Sequence, residues 1–223
     1  MKIAGFKKQS LIDYPGNISS VIFTQGCNFR CGYCHNPDLV LPEKFDKTYN
    51  KNEIFKYLKR YNKMLDAVCI TGGEPTIHND LPDFIKDIKK LHLKVKLDSN
   101  GTNPKILQYL FKNKLVDFVA MDIKHSLKFD MYNKTIGNFI TKKSFEKILN
   151  SIDLIQNSDI DYVFRTTVVK TLHTKEDIKN LKKIFGKNYQ IQNFNPEIIL
   201  NPNLNYEAFS VNEFKELELI VDY

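Results

Sequence analysis

The sequence predicts an α/β fold: an open, partial parallel β/α barrel of about six strand–helix units. Three observations carry this. Short apolar, β-branched runs alternate with longer helical patterns along the chain. The alternation repeats five or six times, which requires parallel strands joined by right-handed crossovers. Between an open doubly wound sheet and a barrel, six units are too few for a complete eightfold barrel, and an open, partial barrel fits. In chain order, strands are expected at 19–24, 67–71, 95–99, 118–123, 162–169 and 189–194. Helices are expected at 51–63, 80–91, 104–114, 142–157 and 175–185, with a last one at 211–221. Start signals mark several of them: Asn103 before Pro104, Thr174 ahead of Asp177, and Ser210 before the last helix. No repeat, low-complexity stretch or Pro/Gly-rich linker interrupts the pattern, so residues 1–223 read as a single domain.

Composition excludes several classes. A hydrophobic fraction of 42% and a charged fraction of 26% are ordinary globular values, unlike those of a disordered tail, a collagen repeat or a coiled-coil rod. No apolar run reaches the roughly 18 residues a membrane span needs. The first residues, Met1 to Lys8, lack the apolar core of a secretory signal, so a soluble cytoplasmic protein is expected. Lys and Arg number 33 against 26 acids, a net charge of +7. The only arginines are Arg30, Arg60 and Arg165, and the lysines are interleaved with acids, so no nucleic-acid surface is expected.

In a parallel α/β fold, function gathers at the C-terminal ends of the strands. Three of the four cysteines, Cys27, Cys31 and Cys34, follow the first expected strand in a CxxxCxxC pattern. Close cysteines in an intracellular chain point to metal. So short a loop can turn three thiolates toward one point, which suits a [4Fe–4S] cluster with one iron left free of protein ligands. The competing reading is structural zinc, with His35 or Cys69 as fourth ligand. Against it, zinc sites usually pair a CxxC with a distant second pair, which is absent here, and Cys69 sits in an apolar run.

The next strand ends bear further candidates. Thr71-Gly72-Gly73-Glu74-Pro75 offers two glycines for close backbone approach and a carboxylate able to bind an ammonium group, though a plain glycine turn would read the same. In Asp98-Ser99-Asn100-Gly101, Asp98 and Asn100 share one strand face, and a turn at Asn-Gly is the ordinary alternative. Asp122 and Lys124 are two apart and project from one face, as a functional pair or a self-satisfied ion pair. Arg165, inside an apolar strand, suits a carboxylate of a ligand, of a partner or of the chain itself. His173 reads as a solvated loop residue.

Taken together, CxxxCxxC, GGEP, DSNG, the D-x-K pair and Asp13-Tyr14-Pro15-Gly16 resemble the radical S-adenosylmethionine superfamily, in particular the activating enzymes of glycyl radical enzymes. Among these it looks like the anaerobic ribonucleoside-triphosphate reductase activating type. The resemblance implies that Cys27, Cys31 and Cys34 hold a [4Fe–4S] cluster. It implies that Tyr33, Gly72, Gly73, Glu74, Asp98, Ser99, Asn100 and Arg165 contact S-adenosylmethionine, with Tyr33 near the adenine. It places Asp122 and Lys124 near the cofactor and the incoming glycine loop, as catalytic residues, with a monovalent cation near Asp98 and Asp122. The implied reaction is reductive cleavage of S-adenosylmethionine to a 5′-deoxyadenosyl radical that takes hydrogen from a glycine of a partner enzyme. The implied partners are that glycyl radical enzyme and a one-electron donor such as flavodoxin or ferredoxin.

Pyruvate formate-lyase activating enzymes carry a histidine after the phenylalanine that ends the last strand, whereas Asn195 follows Phe194 here. That departure favours the reductase type over a pyruvate formate-lyase activating enzyme. A small-molecule enzyme such as 7-carboxy-7-deazaguanine synthase shares the cysteine motif and stands as a further alternative. With four cysteines in all, no auxiliary cluster is expected.

Overall fold

Strand period sorts the sheet's side chains into two layers. On one face Val68, Ile70, Val95, Leu97, Val119, Met121, Phe164 and Val168 join a core built with the apolar sides of the helices. The alternate positions, among them Cys69, Lys96, Asp98, Asp122 and Arg165, meet one another on the other, concave face. The computed structural model describes residues 1–46 and 48–222.

Seven strands form one sheet in chain order: β1 (Ile3–Ser10), β2 (Ser19–Thr24), β3 (Ala67–Gly72), β4 (Lys94–Ser99), β5 (Phe118–Asp122), β6 (Asp161–Val168) and β7 (Tyr189–Asn193). β1 runs antiparallel to β2, and every later neighbour is parallel. β1 and β7 are not paired with each other, so the barrel is open. The helices are α1 (Pro37–Val40), α2 (Lys51–Tyr61), α3 (Leu81–Lys89), α4 (Pro104–Lys112), α5 (Phe129–Thr135), α6 (Lys142–Gln156), α7 (Lys175–Phe185) and α8 (Val211–Asp222).

All six expected strands are present, with ends shifted by at most one residue. The start signals act as read. Asn103 accepts from the Ile106 N–H at α4, Thr174 and Asp177 form a capping box at α7, and Ser210 and Glu213 exchange the same pair of bonds at α8. Three elements were not expected: the edge strand β1 and the short helices α1 and α5. No described helix is long and apolar enough to cross a membrane.

The topology places two of the sequence motifs at opposite ends of the sheet. Ser10 pairs with Ser19, so the segment with Asp13-Tyr14-Pro15-Gly16 turns at the N-terminal ends of the parallel strands. The cysteine loop leaves from the opposite end, after Thr24.

Candidate functional site

The C-terminal strand ends surround one cleft. The loop after β2 contributes Cys27, Cys31, Tyr33, Cys34 and His35; β3 contributes Thr71, Gly72, Gly73 and Glu74; β4 Asp98, Ser99 and Asn100; β5 Asp122 and Lys124; and β6 Thr167. Every residue expected at the site therefore lines this cleft except Arg165, which stands beside it on β6.

Backbone bonds stitch the motifs together. The Gly73 N–H donates to the Thr24 carbonyl (2.9 Å) and the Glu74 N–H to that of Gly26 (2.8 Å). This close approach requires glycine, because a Cβ on Gly73 would collide with the Gly26 carbonyl. Asn28, inside the cysteine loop, bonds Asn100 and Thr102 (2.8 Å each). Sequence reasoning passed over Asn28, Thr71 and Thr167, whose small polar side chains carry no signal of their own.

The three thiols share one wall. Burial pushes Cys27 and Cys31 up to about 12 and raises Cys34. Each must lose its proton to bind metal, so cation binding and deprotonation are coupled here. No three His, Cys, Asp or Glu side chains among the described residues come close enough to hold a single ion. A tetrahedral zinc with Zn–S near 2.3 Å needs sulfurs only about 3.8 Å apart. A cubane does not ask for such close sulfurs, because its thiolates bind different irons. The zinc alternative also lacks Cys69, which is buried in β3 with the Lys96 ammonium 3.7 Å from its sulfur.

Glu74 is 1% exposed. Its Oε1 accepts from the Thr76 N–H (3.0 Å), the Thr76 hydroxyl and the Ser99 hydroxyl (2.9 Å), and among the described residues its Oε2 accepts only the Asn100 N–H (2.6 Å). Burial raises its carboxyl despite these bonds. No cation pairs with it among the described side chains. A buried carboxylate with spare acceptor capacity in a cleft fits a cationic ligand group.

Beside it runs a chain of alternating charge: Lys96, Asp98, Arg165, Asp122, Lys124. Lys96 pairs with Asp98 Oδ1, and Arg165 Nη2 reaches Asp98 Oδ2 (3.3 Å) and Asp122 Oδ1 (3.1 Å). Lys124 closes the row on Asp122 Oδ2 (3.0 Å). Burial would raise the Asp122 carboxyl, but Lys124 and Arg165 outweigh it and hold it down at about 2. Burial likewise opposes charge on Lys124, and Asp122 overcomes it. Arg165, expected on a ligand carboxylate, is thus committed to two carboxylates of the chain. The monovalent cation expected at Asp98 and Asp122 gains no support, since side-chain cations already compensate both.

Tyr33 is buried, its ring edge-on to Phe194 (6.3 Å) and Tyr206 (5.9 Å), with its hydroxyl unpartnered. His173 is not the solvated residue expected but 2% exposed, stacked on His125 at 5.0 Å. Its Nε2 meets the Lys124 carbonyl (3.0 Å), and His125 Nε2 meets that of Leu172 (3.0 Å), clasping the loops after β5 and β6.

Residues 21–185 match the sequence profile of the Radical SAM superfamily. A Methanocaldococcus jannaschii protein described as a glycyl-radical enzyme activating enzyme is 37% identical over 87% of this chain and 80% of its own length. The pyruvate formate-lyase-activating enzyme of Clostridium pasteurianum is 31% identical over 98% of this chain and 87% of its own. Among solved structures, Streptococcus suis SuiB bound to S-adenosylmethionine superposes with a TM-score of 0.65 at 17% identity, over 91% of this chain and 48% of that one. That likeness speaks to the fold; the two sequence relatives speak to the kind of enzyme. The chain belongs to the radical SAM superfamily, and within it to the activating enzymes of glycyl radical enzymes.

Proposed function

We propose that this chain activates an anaerobic ribonucleoside-triphosphate reductase by generating a glycyl radical on it. Family membership implies a [4Fe–4S] cluster and S-adenosylmethionine. The observation that carries the reading is the meeting of three thiols and an uncompensated buried carboxylate in one cleft. Cys27, Cys31 and Cys34 hold the cluster. Gly72 and Gly73 let the backbone approach the cofactor, while Glu74 Oε2 receives its ammonium group. Asp98, Ser99 and Asn100 line its ribose and carboxylate side, and Tyr33 lies toward the adenine. Bound there and given one electron by an external donor, the pair would supply cleavage of the C5′–S bond of S-adenosylmethionine to methionine and a 5′-deoxyadenosyl radical, which would take one hydrogen from the Cα of a glycine and leave as 5′-deoxyadenosine. Asp122 and Lys124, fixed by Arg165, flank the path by which that glycine enters. Cys31 and Glu74 are buried, which limits water on that wall of the cleft.

A second reading keeps the chemistry and changes the partner. The match to a pyruvate formate-lyase-activating enzyme over nearly the whole chain favours it, and Asn195 in place of a histidine weighs against it. The test is anaerobic incubation with each partner, S-adenosylmethionine and a reductant, followed by electron paramagnetic resonance. A glycyl radical on the reductase alone supports the proposal, and one on pyruvate formate-lyase alone overturns the partner assignment.

A further inference from the structure

The cleft has one positively charged flank. α5 packs against the cysteine loop: the Arg30 N–H donates to the Ile136 carbonyl (3.1 Å), and Tyr132 is fully buried beneath. Outward from this contact, Lys128, Met131 and Lys134 recur three apart and are exposed, which places them on one side of the short helix. Lys142 at the start of α6 adds a charge beside them, its ammonium 5.9 Å from the Phe129 ring. Phe139, 55% exposed, carries the Arg30 guanidinium at 5.0 Å from its centroid. Within this face Asp130 is the exposed acid, and it forms no ion pair among the described residues. A second groove, between α1 and residues 196–206, differs: there Asp38 and Glu197 lie beside Lys44.

Arg30 ties this face to the loop that bears the thiols. Its Nη1 donates to the carbonyl of Cys27 (2.7 Å) and of Phe29 (2.8 Å). The exposed Phe139 ring is therefore one half-buried side chain, Arg30, away from the backbone of Cys27. Electron transfer weakens with distance, so a protein that delivers electrons to this loop has to dock where the loop nears the surface. A face with cationic side chains around two exposed apolar ones, Met131 and Phe139, has the make-up of a transient, charge-steered interface.

We infer that α5 and the turn after it, with Lys128, Lys134, Lys142, Arg30 and Phe139, form the docking face for an acidic one-electron carrier protein. This rests on the reading above, which requires an external electron. Charge complementarity selects the occupant, since an acidic surface gains on this flank and not at the groove with Asp38 and Glu197.

The test uses the reconstituted full chain with S-adenosylmethionine and measures the rate of 5′-deoxyadenosine formation with two reductants: reduced flavodoxin, an acidic carrier, and dithionite, which needs no docking face. In K128E/K134E/K142E the flavodoxin-driven rate is expected to fall about tenfold or more at low salt and to lose its salt dependence. The dithionite-driven rate is expected to stay at the wild-type value. K56E/K59E on α2 reverses comparable exposed charge elsewhere and is expected to leave both rates unchanged. An unchanged flavodoxin-driven rate in the triple variant overturns the docking face, as does an equal fall in K56E/K59E. Normal flavodoxin-driven formation with lost glycyl radical on the protein partner also overturns it, by assigning the face to that partner. No product from the wild type with dithionite fails the underlying reading instead, and the docking face with it.

Discussion

Glu74 and Asp122 are carboxylates of one cleft held in opposite ways. Glu74 is oriented by neutral donors from Thr76, Ser99 and Asn100, while Asp122 lies between Lys124 and Arg165. Neutral hydrogen bonds fix direction without cancelling charge, so burial raises the Glu74 carboxyl. Two cations outweigh burial at Asp122 and hold its carboxyl at about 2. A cationic ligand group gains at Glu74, where charge is uncompensated, and gains little along a row already balanced by Lys96, Arg165 and Lys124. One site is built to receive charge and the other to keep it in place.

The largest expected effect comes from removing that asymmetry. Glu74→Gln should weaken S-adenosylmethionine binding to the reconstituted protein by about 30-fold or more, as loss of a buried charge partner does. Asp122→Asn should cost less than about tenfold in the same titration, because Arg165 retains Asp98. Equal losses would break the comparison.

Next is the close approach that brings Glu74 to the cysteine loop. Gly73→Ala should lower stability by about 1–3 kcal/mol in denaturant titration and reduce the iron retained after reconstitution. Full stability would mean that the bond from the Glu74 N–H to the Gly26 carbonyl can yield.

The histidine clasp sharpens the other side. His173→Leu leaves the Val169 N–H and the Lys124 carbonyl without the ring and should cost about 1–2 kcal/mol, whereas His173→Gln, which can still donate to Lys124, should cost less. Burial and the neighbouring His125 keep the ring neutral, with its pKa down at about 4.

The smallest effect is in acid. The Asp122 carboxyl sits below its ordinary 3.8, so its stabilising contribution is present above that pH and is lost as pH falls toward about 2. The stability of Asp122→Asn should therefore fall less between pH 4 and pH 2 than that of the wild type, which parallel acid titrations of unfolding check. Identical acid limbs would remove Asp122 from the charge row.

The parallel strands were legible because most are short apolar runs with β-branched residues, the inner ones almost wholly buried, and helical patterns separate them. β1 was not. It is an edge strand whose Gly5 and the polar run Lys7-Lys8-Gln9 hide the alternation, and its partner β2 decides its structure. α5 spans seven residues and no side chain caps its start, so neither length nor signal marks it. The motif residues were legible because they follow strands, and the topology brings strand ends together. Their pairing was not: Arg165 finds Asp98 and Asp122 only across neighbouring strands, and His173 meets His125 only through the packing of two loops. Local sequence records neither contact.

Three thiols and Glu74 line one cleft, which fits a cluster and its cofactor. The most direct measurement is anaerobic reconstitution with iron and sulfide, followed by reduction with S-adenosylmethionine present and assay of 5′-deoxyadenosine. Iron uptake and reductant-dependent product are expected in the wild type, with both lost in Cys31→Ala. A folded wild-type protein that takes up zinc, no iron, and forms no product would contradict that fit.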